Sequence, residues 1–202
     1  MKEISLPITQ TFSMTIDTHN IDMSKTVDLG DGRIGVHVGT MSSIEVAPIM
    51  EVARKNGGHI LYAATSIEQQ LEGILMLYFM GPFIKHDDRR QVFEMEILQS
   101  SSMSYSAKKE LVLKIVSDNN LLDGEVKNQL QTQLKKIMEW RNAFAHGKMQ
   151  YDNIAGCFIK HYSGRQQKLD LNDGYWEKVE QNFKECNASL KEVLDKLVCR
   201  AQ

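Results

Sequence analysis

The chain has 202 residues, 42% of them apolar and 25% charged, with a formal net charge of -2. A core of good size can be buried without staples, and one domain with an appendage, or two small domains, fits this length. No whole-molecule field gathers nucleic acid, so such a partner would have to be held by a local patch.

Three cysteines (Cys157, Cys186 and Cys199) stand far apart, with no Cys-x-x-Cys and no His-x-His. This argues against a disulfide framework and a zinc site, and suits a reducing cytoplasm. Asp and Glu show no metal-loop spacing, so neither a metal nor a cofactor is expected. "MKEISLPITQ" lacks the apolar run of a signal peptide. "GILMLYFMGPF" is too short to cross a bilayer, so no membrane partner is expected.

Residues 1–45 read as a β-rich N-terminal appendage. Val27 and Leu29 precede an Asp31-Gly32 turn, and Ile34, Val36 and Val38 then alternate, which predicts a hairpin. Residues 46–202 read as a helical domain. Pro48 is expected to open a short helix, "PIMEVARKN", closed by Gly57. A longer helix then carries Ile60, Ala64, Ile67, Leu71, Ile74 and Tyr78 on one stripe and ends at Gly81-Pro82. Asp87 or Asp88 can cap the next, through "RRQVFEMEILQS"; "SAKKELVLKIVSD" forms a third. "GEVKNQLQTQLKKIMEWRNAFAHG" forms a long fourth, stopped by Gly147. "CFIKHYSGRQQKLDL" predicts two strands about Ser163-Gly164. A last helix, capped by Asp173, aligns Trp176, Val179, Phe183, Cys186, Leu190, Val193 and Leu197. The fold class is mainly α: a helical bundle with a β-hairpin before its last helix.

On the fourth helix Val126, Leu130, Leu134, Ile137 and Phe144 mark the apolar stripe, and Arg141 falls on it. A buried arginine needs a partner. One reading is a structural ion pair with Glu68 or Glu72; another is a head that snorkels to water. His146 follows five positions later, about 140° further round an ideal helix. The two side chains converge only if the helix ends near Ala145 or if a second protomer contributes its own pair. A helix-terminal histidine also complements the dipole. Arg54 and His59 share the spacing, but two glycines stand between them and that pair reads as coincidence.

"WRNAFAHG" resembles the Arg-(x4 to x6)-His signature of HEPN domains, the higher-eukaryote-and-prokaryote nucleotide-binding family. The order of elements over residues 58–200 is similar too: helices, the motif at a helix end, a β-hairpin, a closing helix. The resemblance implies a metal-independent endoribonuclease acting as a homodimer, with catalytic Arg141, His146 and Asn142 in a composite cleft. Imidazole titrates near neutrality and can take the proton of a ribose 2′-hydroxyl or protonate the leaving 5′-oxygen. A guanidinium presents a fork of donors to a pentacoordinate phosphorus. Asn142 would orient the histidine or a phosphate oxygen.

A toxin or defence effector is the implied setting, with an antitoxin or regulatory protein as a further partner. A dimeric, non-catalytic scaffold or a nucleotide- or RNA-binding adaptor is the alternative. One branch of the family carries a tyrosine two positions after the histidine; here Lys148 stands there and Tyr151 comes three residues later. Lys148, Lys160, Tyr162 and Arg165 are candidate RNA-binding residues, with base stacking on Tyr162 and cations near phosphates. A merely polar hairpin tip is the plainer reading. Glu68 is the candidate that would orient Arg141. "HDDRR", residues 86–90, reads as a helix start with solvated arginines or as a charged patch.

Overall fold

A computed structural model describes residues 26–28, 34–36, 43–82, 88–152 and 155–200. The described chain is mainly helical, with a three-stranded antiparallel sheet before the last helix. In order come β1 (Thr26–Asp28), β2 (Ile34–Val36), α1 (Ser43–Met80) and α2 (Asp88–Val92), the last running into a π-helical turn, Phe93–Leu98. Then follow α3 (Tyr105–Asp118), α4 (Gly124–His146), β3 (Lys148–Asp152), β4 (Gly156–Ser163), β5 (Arg165–Asp170) and α5 (Asp173–Arg200). No helix among the described residues is long and apolar enough to cross a membrane.

The chain groups into two units: residues 1–56 with 147–172, and residues 57–146 with 173–202. The boundary read from sequence, between residues 45 and 46, falls inside α1.

The helical unit has one apolar core. Ile67, Leu71, Ile74 and Leu75 of α1 are buried with Val112 and Val116 of α3, Leu130, Leu134 and Ile137 of α4, and Cys186, Leu190 and Val193 of α5. Most expected stripe residues lie in it. Tyr78 does not; it is exposed, and Leu75 and Met76 are buried instead. Local chemistry sets the helix ends. Ser104 accepts a hydrogen bond from the Ala107 amide at 3.3 Å as the N-cap of α3. Gly81, with φ +72°, ends α1 in the left-handed conformation, its amide bonded to the Leu77 carbonyl at 2.9 Å. Arg90 donates to the Gly81 carbonyl at 3.0 Å, which gives part of "HDDRR" a structural duty; His86 and Asp87 lie outside the described residues.

Two expectations need correction here. Pro48 does not open a short helix closed by Gly57; α1 encloses the proline and continues through Gly57 and Gly58. The reason is packing. A Cβ on Gly57 would stand 2.5 Å from Cδ1 of Phe144, so the glycine is where ring and helix backbone meet. Gly58 is exposed, with open space around it. Because α1 is unbroken, the glycines also give no ground for discounting Arg54 and His59. What separates that pair is that Arg54 is bonded to Glu51 at 3.2 Å.

In the other unit, the expected hairpin of residues 26–38 has β1 paired with β2 through Thr26↔Val36 and Asp28↔Ile34; the Asp31-Gly32 turn lies outside the described residues. The predicted hairpin about Gly164 (φ +70°) forms as β4 and β5, and β3 adds a third strand on the far side of β4. Cys157, Phe158 and Ile159 are buried in β4, and Cys157 Sγ meets Sδ of Met50 in α1 at 3.6 Å.

Candidate functional site

Arg141, Asn142 and His146 occupy the last two turns of α4. Aromatic packing holds this end of the helix. Trp140 meets Tyr175 edge-on at 6.1 Å between centroids and lies 6.3 Å from Phe183. Phe144 lies 6.0 Å from Trp176 and against Gly57. Offset and edge-on ring contacts of this kind fix orientation as well as burying area. Between Trp140 and Phe144, Ala143 is fully buried, while Asn142, Ala145 and His146 are exposed.

Arg141 is half-buried on the apolar side, as its position in the stripe requires. It forms no ion pair or hydrogen bond among the described residues. Glu68, expected to orient it, is engaged elsewhere. Nζ of Lys108, itself only 4% exposed, bonds Glu68 Oε1 at 2.8 Å and also Glu72. Burial opposes the lysine's charge, but the two carboxylates outweigh that and raise its pKa above the ordinary lysine value. Both candidate counter-ions of Arg141 are therefore bonded to another cation. Its field is felt nearby by Tyr105, whose phenol is pushed well up by burial, and further by Cys186 and Glu68, with Arg141 acting in the opposite sense. The Tyr105 hydroxyl donates to the Leu134 carbonyl at 3.4 Å, a long bond.

His146 is the last residue of α4, at the negative end of its dipole. The helix thus ends within one residue of Ala145. Five residues of regular helix turn about 500°, leaving Arg141 and His146 about 140° apart around the axis. Along a regular helix the two side chains do not point at one phosphorus. Convergence within one chain needs the backbone to leave the helix at His146, and a second copy contributing its own pair is the other arrangement.

The other candidates sit in the sheet. Lys148 pairs with Lys160, and Lys160 with Lys168, so three lysines form one row across β3, β4 and β5. Tyr162, two residues beyond Lys160 on the same face, is 80% exposed. Arg165 pairs with Ser163, at odd offset from Lys160, and so falls on the opposite face. Lys168, rather than Arg165, shares the face of Lys160 and Tyr162. That was readable in the sequence, because Lys160 and Lys168 stand equally far from the turn glycine, Gly164. Among the described residues no group of three His, Cys, Asp or Glu side chains is placed to hold a metal ion.

Comparison with family models, with curated proteins and with solved structures finds no match to this chain.

Proposed function

We propose that the protein is a cytoplasmic, metal-independent endoribonuclease of HEPN type, working as a homodimer in a toxin or defence setting. The observation that carries this reading is Arg141: half-buried, on the apolar side of α4, with no partner among the described residues while Glu68 and Glu72 serve Lys108. A half-buried cation without a counter-ion among the described residues is costly in a purely structural role and well suited to receiving a phosphate.

In the proposed reaction, His146 of one copy takes the proton from a ribose 2′-hydroxyl. The 2′-oxygen attacks the adjacent phosphorus, and Arg141 donates to the non-bridging oxygens as charge builds on them. The same histidine in the second copy protonates the departing 5′-oxygen as the P–O5′ bond breaks. The products are a 2′,3′-cyclic phosphate and a 5′-hydroxyl. Asn142, exposed one residue after the arginine, orients the histidine or a phosphate oxygen.

The test is cleavage of a mixed RNA pool in EDTA by the wild type, Arg141→Ala and His146→Ala, with a DNA oligonucleotide of the same sequence alongside. RNA-only cleavage, lost in both folded variants, supports the reading; no cleavage of any RNA refutes it. A second reading, a dimeric scaffold without catalysis, is favoured by the 140° divergence of Arg141 and His146 within one chain, and that second result would select it.

A further inference from the structure

The sheet register adds a third lysine, Lys148, to the Lys160–Lys168 pair that the hairpin sequence discloses. Like charges directly opposite each other in an antiparallel sheet are destabilising. Here they occur twice in succession, Lys148 against Lys160 and Lys160 against Lys168, with strands ~4.8 Å apart. Part of the charge is compensated. Lys168 bonds Asp170 at 2.7 Å, and the Lys168 and Lys160 ammonium groups lie 4.5 and 5.6 Å from the centroid of the Phe158 ring. Lys148 and Lys160 have no carboxylate among the described residues. Beside this row, Tyr162 holds its ring 80% exposed, and its cross-strand neighbour is the exposed amide Gln166.

A row of cations, a free aromatic face and an amide with both donor and acceptor match one ligand chemistry. The cations suit a phosphodiester backbone, the ring suits the face of an unpaired base, and the amide can reach a base edge. A duplex would satisfy the lysines but would offer the ring no base. An acidic peptide would leave the ring and amide without a purpose.

We infer that this face of the β3–β4–β5 sheet, through Lys148, Lys160, Lys168 and Tyr162, binds single-stranded RNA. The choice of RNA over single-stranded DNA rests on the proposed nuclease reading; the surface itself rests on the sheet register.

The experiment is fluorescence anisotropy with a 2′-O-methyl RNA of about twelve nucleotides, within the range that such platforms cover. This probe has no free 2′-hydroxyl, so wild-type protein cannot cleave it by the proposed route. Binding should weaken with salt. Lys148→Ala and Lys160→Ala should each reduce the log–log salt slope by ~0.7, the value for one single-strand phosphate contact. Tyr162→Ala should weaken binding roughly five- to hundredfold, while Tyr162→Phe, which keeps the ring, should not. Arg165→Ala, on the other face, should bind as wild type. Wild-type protein that ignores the RNA, or prefers duplex DNA or anionic vesicles to it, overturns the inference; so do sheet variants with unchanged affinity. Binding lost in Lys160→Ala and Tyr162→Ala, in a protein that cleaves no RNA, sustains the surface and removes the nuclease. Full cleavage with unaltered binding by the sheet variants does the reverse.

Discussion

Adjacent glycines in α1 provide a matched pair whose response to alanine should differ in sign. At Gly58 an added Cβ meets open space, so Gly58→Ala gains only helix propensity, ~1 kcal/mol. For a chain of this size that raises Tm by roughly 2–4 °C. Gly57→Ala gains the same propensity but sets its Cβ 2.5 Å from Cδ1 and 2.9 Å from Cε1 of Phe144. That ring is braced by Trp176 and cannot turn aside freely. Overpacking of this kind costs ~1–3 kcal/mol. The net change is therefore from about zero to ~2 kcal/mol destabilising, and the gap between the variants reads the contact with propensity cancelled. Thermal melts followed by far-UV circular dichroism measure both. In the double variant Gly57→Ala/Phe144→Ala the clash disappears, so the two changes should cost less together than their sum. If Gly57→Ala melts as high as Gly58→Ala, Phe144 does not press on α1 and the account of the unbroken helix is wrong.

Removing the cation of the Glu68–Lys108–Glu72 cluster with Lys108→Met should destabilise by ~3 kcal/mol, because two largely shielded carboxylates lose their partner. Changing both glutamates to glutamine in that background should restore most of the loss, and chemical denaturation reads both steps. Of the three thiols, Cys199 is exposed while Cys157 and Cys186 are buried, so Ellman's reagent should label one per native chain and three after unfolding. Burial raises the Cys186 thiol to about 12 from its ordinary 9.0, and raises the phenols of Tyr105 and Tyr175 above 10.0. In the unfolded chain these groups lose their protons first, so stability is full below pH ~9 and falls as pH rises above it, by up to ~1.4 kcal/mol per pH unit per group. Tm measured from pH 7 to 11 should be flat and then drop. Because burial raises Cys157 as well, Cys186→Ala should make the drop shallower without moving its onset, and a drop beginning below pH 8 would contradict the assignment.

Where local chemistry decides, the sequence was legible. Gly81 and Gly147 mark helix ends by helix-stopping preference, α5 begins at Asp173, and α4 and α5 show their apolar stripes plainly. Where a distant partner decides, it was not. Gly57 reads as a stop until Phe144 is known to lie against it. "KMQYD" has no alternating apolar pattern and becomes β3 through its pairing with β4. Glu68 had several cations to choose from, and the nearest in space, Lys108, sits on another helix. The candidate site divides in the same way. That Arg141 lies on the buried side follows from its spacing, whereas its lack of a counter-ion among the described residues depends on where Lys108 goes. Arg165 falls on the face opposite Lys160 because an odd offset moves a side chain to the other side of a sheet.

The composite-site reading also dictates where two copies must meet. A cluster of exposed apolar side chains of the helical unit lies away from the motif. Phe79 at the end of α1 packs on Phe93 at 5.7 Å, and Val92, Met95 and Ile97 around the π-helical turn are 57%, 56% and 45% exposed. Phe144, two residues from His146, lies against Gly57, and from Gly57 to Phe79 α1 rises about 33 Å. Two copies joined through the Phe79–Ile97 surface would hold their motifs tens of ångströms apart, so this surface cannot make the proposed site, whatever else it binds. A dimer joined at the end of α4 would oppose them. Sedimentation of Met95→Glu and of Ala145→Arg distinguishes the two, since both positions are exposed and neither change opens the core. The nuclease reading requires Met95→Glu to remain dimeric and active, and Ala145→Arg to become monomeric and inactive. A dimer that dissolves with Met95→Glu and survives Ala145→Arg would leave His146 facing water alone, and the scaffold reading would take its place.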